Sequence, residues 1–178
     1  MSTLVPPVSE RDHIAGPADA SVTLVEYGDY ECPYCGMAYP IVKAAQKRLG
    51  TGLRFVFRNF PLKEIHPHAQ HAAEAAESAG AQGKFWEMHD MLFEHQHALE
   101  DAHLVAYAEA LGLDAERIAG DIANKTYAQR VREDFRSGVR SGVNGTPTFF
   151  INGERYEGPW ADEWRFIRAL QDAALIGT

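Results

Sequence analysis

Residues 22–35 read VTLVEYGDYECPYC and hold both cysteines of the chain. Val22 to Tyr27 is a short, β-branched apolar run, the pattern of a strand buried on both faces. Its one charge is Glu26. Cys32 and Cys35 follow, separated by Pro33 and Tyr34. Beyond them, Ala38, Ile41, Val42, Ala45 and Leu49 recur at helical spacing, and the pattern stops at Gly50. Pro40 falls inside this helix and is expected to kink it. Leu53 to Phe60, LRFVFRNF, alternates as a second strand. Strand, helix and strand within about forty residues make a βαβ unit, whose crossover is expected to be right-handed.

From about Ala69 to Arg140 the pattern is helical. AQHAAEAAESAGAQGKFWEMHDMLFEHQ is rich in Ala and Glu, with an apolar stripe through Phe85, Met88, Met91 and Leu92. Asp101 is placed to cap AHLVAYAEALG, and another short helix starts near Leu113. Val131, Phe135 and Val139 recur every fourth residue and read as core packing rather than a binding surface. β-structure returns at Thr148 to Ile151, Asn152-Gly153 is a type I′ turn signal, and Glu154 to Glu157 is expected to run back antiparallel. Ala161 to Leu175 closes the chain as a helix in which Trp164 with Ile167, and Phe166 with Leu170, can share a buried face. The outline is βαβ, a helical block, then ββα.

The 178 residues suffice for one ordinary domain with a sizeable core. A hydrophobic content of 46% and a charged content of 24% are those of a globular protein. No stretch approaches the roughly 18 apolar residues of a membrane span, so no membrane insertion is expected. The net charge of −8, from 25 acids against 17 Lys and Arg, argues against a nucleic-acid partner. Residues 1–17, MSTLVPPVSERDHIAGP, lack the basic and apolar regions that export needs. The expected location is cytoplasmic, or periplasmic or extracellular if an export signal has been removed.

Cys32 sits where the helix begins and Cys35 lies in its first turn. Residues three apart on a helix are about 5–6 Å apart, within the roughly 4.4–6.8 Å that a disulfide requires between Cα atoms. A helix start carries unsatisfied N–H groups and about half a positive charge, which favour a thiolate at Cys32. Pro33 suits the first helical position because its missing N–H is not needed there. Two rival readings remain open. One CxxC supplies half of a four-ligand zinc site, and His66, His68 and His71 in EIHPHAQH could supply histidines, though not at zinc-finger spacing. The cysteines could also be two small buried side chains. The histidines read as solvent-facing or capping groups, and the pattern calls for no metal or cofactor.

EYGDYECPYC, followed much later by GTPTFFING and with FRNFPLKEIHPHAQHAAEAAESAGAQGKFWEMHDMLF between them, resembles the DsbA-like thiol–disulfide oxidoreductases of the thioredoxin superfamily. The resemblance runs from about His13 to the C-terminus. It implies an α/β thioredoxin-like fold, with residues 1–61 and 141–178 as the thioredoxin-like domain and 62–140 as an inserted helical domain. By position, Cys32 resembles the exposed attacking cysteine and Cys35 the buried resolving one. Pro147 resembles the cis-proline that faces the pair, with Thr146 offering its backbone to an extended substrate. Composition alone would make Thr146-Pro147 trans, since about 5–6% of X-Pro bonds are cis; the resemblance reverses that expectation. Glu26 resembles the buried acid beneath the pair, a proton acceptor for Cys35. The alternative is a Glu26 that stays wet at a sheet edge. If buried, its carboxylate form is disfavoured by desolvation. Pro33-Tyr34 departs from the Pro-His of the best-known DsbA oxidases and resembles glutaredoxins, which points to a milder oxidant.

The resemblance implies disulfide exchange with protein thiols and disulfides, or with glutathione, and a further redox partner that recycles the pair. Pro33, Tyr34, Thr146 and Pro147 would contact substrate; Tyr30 and Trp160 either line the same groove or belong to the core. With no room for a separate dimerisation domain, a monomer is expected. Two other readings stay open: a glutathione-dependent transferase, isomerase or glutaredoxin-like reductase on the same fold, and a non-catalytic binding module.

Overall fold

The two apolar runs that bracket the cysteines become strands, and the helical spacings become helices, in the computed structural model, which describes residues 2–176. In chain order the elements are β1 (His13–Ala15), β2 (Val22–Gly28), α1 (Pro33–Leu49), β3 (Leu53–Asn59), α2 (Ala69–Ala81), α3 (Phe85–Glu94) and α4 (Asp101–Ala110). There follow α5 (Ala115–Ala123), α6 (Ala128–Arg140), β4 (Thr148–Ile151), β5 (Glu154–Arg155) and α7 (Glu163–Ile176). No helix among the described residues is long and apolar enough to cross a membrane. The chain divides into two compact units. One comprises Met1–Gly28, Met37–Arg58 and Ser137–Thr178, the other Asp29–Gly36 and Asn59–Arg136. The expected domain ends at 1, 177 and 178 lie outside the described residues.

The first unit carries a five-stranded sheet in the order β1-β3-β2-β4-β5. β2 is buried along its whole length, as an apolar run between two covered faces must be. It pairs antiparallel with β4, Leu24 opposite Ile151 and Tyr27 opposite Thr148. Asn152 and Gly153 take φ values of 49° and 85°, the two positive angles of a type I′ turn. Asn152 also ties back to β2, its Oδ1 accepting from the Thr23 N–H at 2.9 Å. β5 is two residues shorter than its sequence suggested, although the Tyr156 N–H still donates to the Phe149 carbonyl at 2.9 Å.

Two features escape hydrophobic patterning. β1 lies in what reads as a polar lead, yet pairs antiparallel with β3, His13 opposite Phe57; backbone pairing holds it. Arg58 occupies a polar position of β3 and is nevertheless buried. Its guanidinium donates to both Asp12 carboxylate oxygens at 2.8 and 3.0 Å, and to the Pro6 and Pro7 carbonyls and the Tyr27 hydroxyl. Burial opposes the Arg58 charge, but the Asp12 and Tyr27 interactions outweigh it and hold the group firmly protonated.

α7 buries Phe166 and Leu170, one turn apart, with Phe166 packed on Phe149 at a ring separation of 4.9 Å. The expected burial of Trp164 does not occur: it is 72% exposed. Two residues correspond to about 200° of helical rotation, so a helix that buries Phe166 turns Trp164 outward.

The helical unit is built around α2, whose alanines Ala69, Ala72, Ala73, Ala75, Ala76 and Ala79 are all buried. Small side chains let neighbouring helices approach, and Met88 and Leu92 of α3, Leu104 of α4 and Ile118 of α5 fill the core. Asp101 does not cap α4 as expected. Glu100 holds the cap position, while Asp101 Oδ1 pairs with His71 Nδ1 at 2.7 Å. Asp114 does cap α5, accepting from the Arg117 N–H at 3.0 Å. Of the fourfold stripe on α6, Val131 is buried, Phe135 is half-buried and stacked on Phe60, and Val139 is exposed.

Candidate active site

Cys32 is the residue before α1, and Pro33 opens the helix as its missing N–H allows. The short segment from β2 to α1 is folded tightly. The Cys32 N–H donates to the Asp29 carbonyl at 3.1 Å, and the Cys32 carbonyl accepts from the Gly36 N–H at 3.0 Å. The two cysteines therefore lie on the first turn of one helix, next to its free N–H groups.

Asp29 organises this turn, and sequence reading passed it over. It is 1% exposed. Its Oδ1 accepts from the Glu31 N–H at 2.8 Å, and its Oδ2 accepts from the Leu62 N–H at 2.8 Å and meets His66 Nδ1 at 2.7 Å. Its own N–H donates to Cys35 Sγ at 3.5 Å. Such a donor stabilises a sulfur that carries negative charge. The expectation that His66 merely faces solvent or caps a helix is thus corrected: it is three-quarters or more buried against the Asp29 carboxylate. The only hint in the sequence was an acid three residues before a CxxC.

Gln96, just beyond α3, is a second residue that sequence reading missed. Its Nε2 donates to the Tyr30 carbonyl at 2.8 Å and the Cys32 carbonyl at 2.9 Å. A side chain at position 36 would strike the Gln96 amide, which accounts for Gly36 directly after Cys35. Tyr30 is core rather than groove, its hydroxyl 3.1 Å from His89 Nδ1 and its ring 4.9 Å from Phe93. The expectation of an exposed attacking cysteine also needs correction. Cys32 is 4% exposed and Cys35 0%. Pro33 and Tyr34, between them, are exposed, Tyr34 by 60%.

The first unit holds the remaining expected residues. Glu26 lies in β2 opposite Phe149 and is 2% exposed, so the wet-edge alternative is excluded. On the same face, Gly28 leaves no room for a Cβ against Phe57 and the Glu26 carboxyl. Thr146-Pro147 is cis, as the resemblance implied and composition did not. The bond precedes β4, where Thr148 Oγ1 donates to the Gly145 carbonyl at 2.7 Å and closes the turn. Trp160 is half-buried, 6.2 Å from Phe149. Among the described residues, no group of three or more His, Cys, Asp or Glu is placed to hold a metal ion; His66 and His71 are engaged by Asp29 and Asp101 instead.

A family model described as thioredoxin matches residues 8–170, and the chain belongs to that family. Its fold is the DsbA-type variant. Oxidised BdbD from Bacillus subtilis superposes with a TM-score of 0.87, covering 98% of each chain at 24% identity. A thioredoxin-like oxidoreductase from Silicibacter pomeroyi DSS-3 superposes with a TM-score of 0.81, covering 94% of each chain at 26% identity. Among curated proteins, the chain is 49% identical to part of a protein named Na(+)/H(+) antiporter NhaA 1 from Salinispora arenicola, over 98% of this chain and 26% of that protein. The chain spans about a quarter of the length of the curated relatives it matches.

Proposed function

We propose that this protein is a thiol–disulfide oxidoreductase that exchanges disulfides with protein substrates through Cys32 and Cys35. The observation that carries this reading is the Asp29 N–H donating to Cys35 Sγ on a helix-start CxxC turn, within a thioredoxin-family chain. A structural pair of buried cysteines needs no donor aimed at its sulfur.

In the oxidising direction a substrate thiolate attacks Cys32 Sγ of the disulfide form. The S–S bond breaks, and its electron pair leaves on Cys35 as a thiolate, which the Asp29 N–H stabilises. A second substrate thiolate then attacks the substrate sulfur of the mixed disulfide and releases Cys32 as a thiolate. Two electrons have passed from substrate to protein. In the reducing direction, the Cys32 thiolate attacks a substrate disulfide and Cys35 resolves the intermediate. Cys35 must lose a proton to do so, and we assign Glu26, buried in the strand leading to the motif, as its acceptor, through water if needed. Thr146 and Pro147, at the start of β4, with exposed Pro33 and Tyr34, are assigned to substrate contact. The protein works as a monomer on protein thiols and is recycled by a further redox partner.

The cytoplasmic location expected from residues 1–17 draws no support from the comparisons. A DsbA-type fold favours a periplasmic or extracellular compartment, where disulfides form and persist.

A Cys35→Ser variant tests the proposal. With a disulfide-bonded protein substrate it should accumulate a mixed disulfide through Cys32. Turnover of glutathione adducts that persists without such trapping would favour the glutathione-dependent alternative instead.

A further inference from the structure

The helical unit contains a cavity of about 620 Å³, within the roughly 300–1,000 Å³ range of small-molecule sites. Neither cysteine lines it. Its wall comes from the segment after β3, from α2 and from α6, and Ile65, Val131 and Phe135 make much of it apolar. Ile65 is 69% exposed, a large apolar side chain with no core to join. Val131 and Phe135, which periodicity assigns to core packing, thus face a space the protein does not fill.

One buried carboxyl lines the cavity. Glu74 of α2 is 3% exposed, and while its Oε2 accepts from Gln70 Nε2 at 3.1 Å, its Oε1 has no hydrogen-bonding partner. A buried acceptor left unmade costs about 1–3 kcal/mol, so a donor arriving there gains more than one arriving at a wet surface. Burial raises the Glu74 pKa, offset in part by Gln70, His71 and Lys125. Three cations, Lys63, Lys125 and Arg132, also line the cavity, and all three are exposed at its rim.

We infer that this cavity binds a small amphipathic organic acid, with a hydrogen-bond donor on its apolar body at Glu74 and its acidic group at the basic rim. The apolar body covers Val131 and Phe135. The three rim cations outnumber the single exposed acid of the lining, Glu64, and so favour an anionic group there.

Anilinonaphthalene sulfonate has this chemistry: an aromatic body, one N–H donor and an anionic group. Fluorescence titration of the full chain should show saturable binding of one probe per protein. Arg132→Glu, on the exposed rim where folding is not at risk, should raise the dissociation constant at least tenfold. Glu74→Leu should weaken binding about fivefold or more. Ala128→Trp, which fills the cavity from α6, should abolish binding and leave disulfide exchange unchanged. Non-saturable binding, or an affinity untouched by Arg132→Glu, overturns the inference. Should Ala128→Trp fail to fold, the Arg132→Glu result decides alone.

Discussion

The backbone N–H of Asp29 lies 3.5 Å from Cys35 Sγ and donates to it, while the carboxylate of the same residue accepts from the Leu62 N–H. One buried residue therefore positions the Cys35 sulfur and fastens the segment that follows β3. Replacing it with alanine strands two part-buried N–H groups and leaves His66 without its partner. Asp29→Ala should cost about 3 kcal/mol in chemical denaturation. It should also slow resolution by Cys35 more than attack by Cys32. A loss below about 1 kcal/mol would show that the carboxylate does not hold the turn.

Glu26→Gln keeps the shape of the β2 side chain and removes its capacity to take a proton. Stopped-flow measurement of mixed-disulfide resolution should show a rate lower by about 10²-fold, the usual contribution of a positioned base. Alkylation of Cys32 should proceed at the wild-type rate. Equal slowing of both steps would assign Glu26 a purely structural role.

Tyr34 is 60% exposed between the cysteines, so it can be exchanged without disturbing the core. A histidine there adds charge-stabilising contacts for the Cys32 thiolate. Tyr34→His should make the protein the stronger oxidant, by ~30 mV or more, equivalent to about 1.4 kcal/mol. Equilibration with glutathione measures this. An unchanged potential would remove the dipeptide as the tuning element.

Asp134 of α6 is buried, accepting from the Asn59 N–H and Nδ2 at 3.0 Å and from Arg130 at 2.9 Å. Burial raises its pKa from 3.8 to about 6, more than Arg130 and Asn59 lower it. The native state then holds a proton that the unfolded chain has already lost between those values. Stability from this group falls as pH rises from about 4 to about 6, by roughly 3 kcal/mol at 1.36 kcal/mol per pKa unit. Denaturation of wild type and Asp134→Asn at pH 4.5 and 7 should show about 2 kcal/mol of that decline, and only in the wild type.

Strands β2 to β5, the helical block and the cysteine turn were legible because each rests on local pattern: a β-branched run, 3.6-residue spacing, Asn-Gly with two positive φ angles; β1, held only by backbone pairing to β3, was not. The buried Glu26 was legible as a charge inside an apolar strand. The polar network was not. Arg58 finds Asp12, and Asp29 finds Leu62 and His66, across 46, 33 and 37 residues of sequence. Nothing in local composition marks such pairs. The burial of Cys32 and the exposure of Trp164 depend on which neighbours close over them, so they too appear only in the folded chain.

In the proposed function, positions 32 and 35 trade a disulfide for two thiols reversibly. Incubating the protein across graded ratios of reduced to oxidised glutathione, with acid quenching and mass spectrometry, reads this directly. One intramolecular disulfide should form, with a midpoint between about −120 and about −270 mV. Two separate glutathione adducts, or unmodified thiols at every ratio, would contradict it.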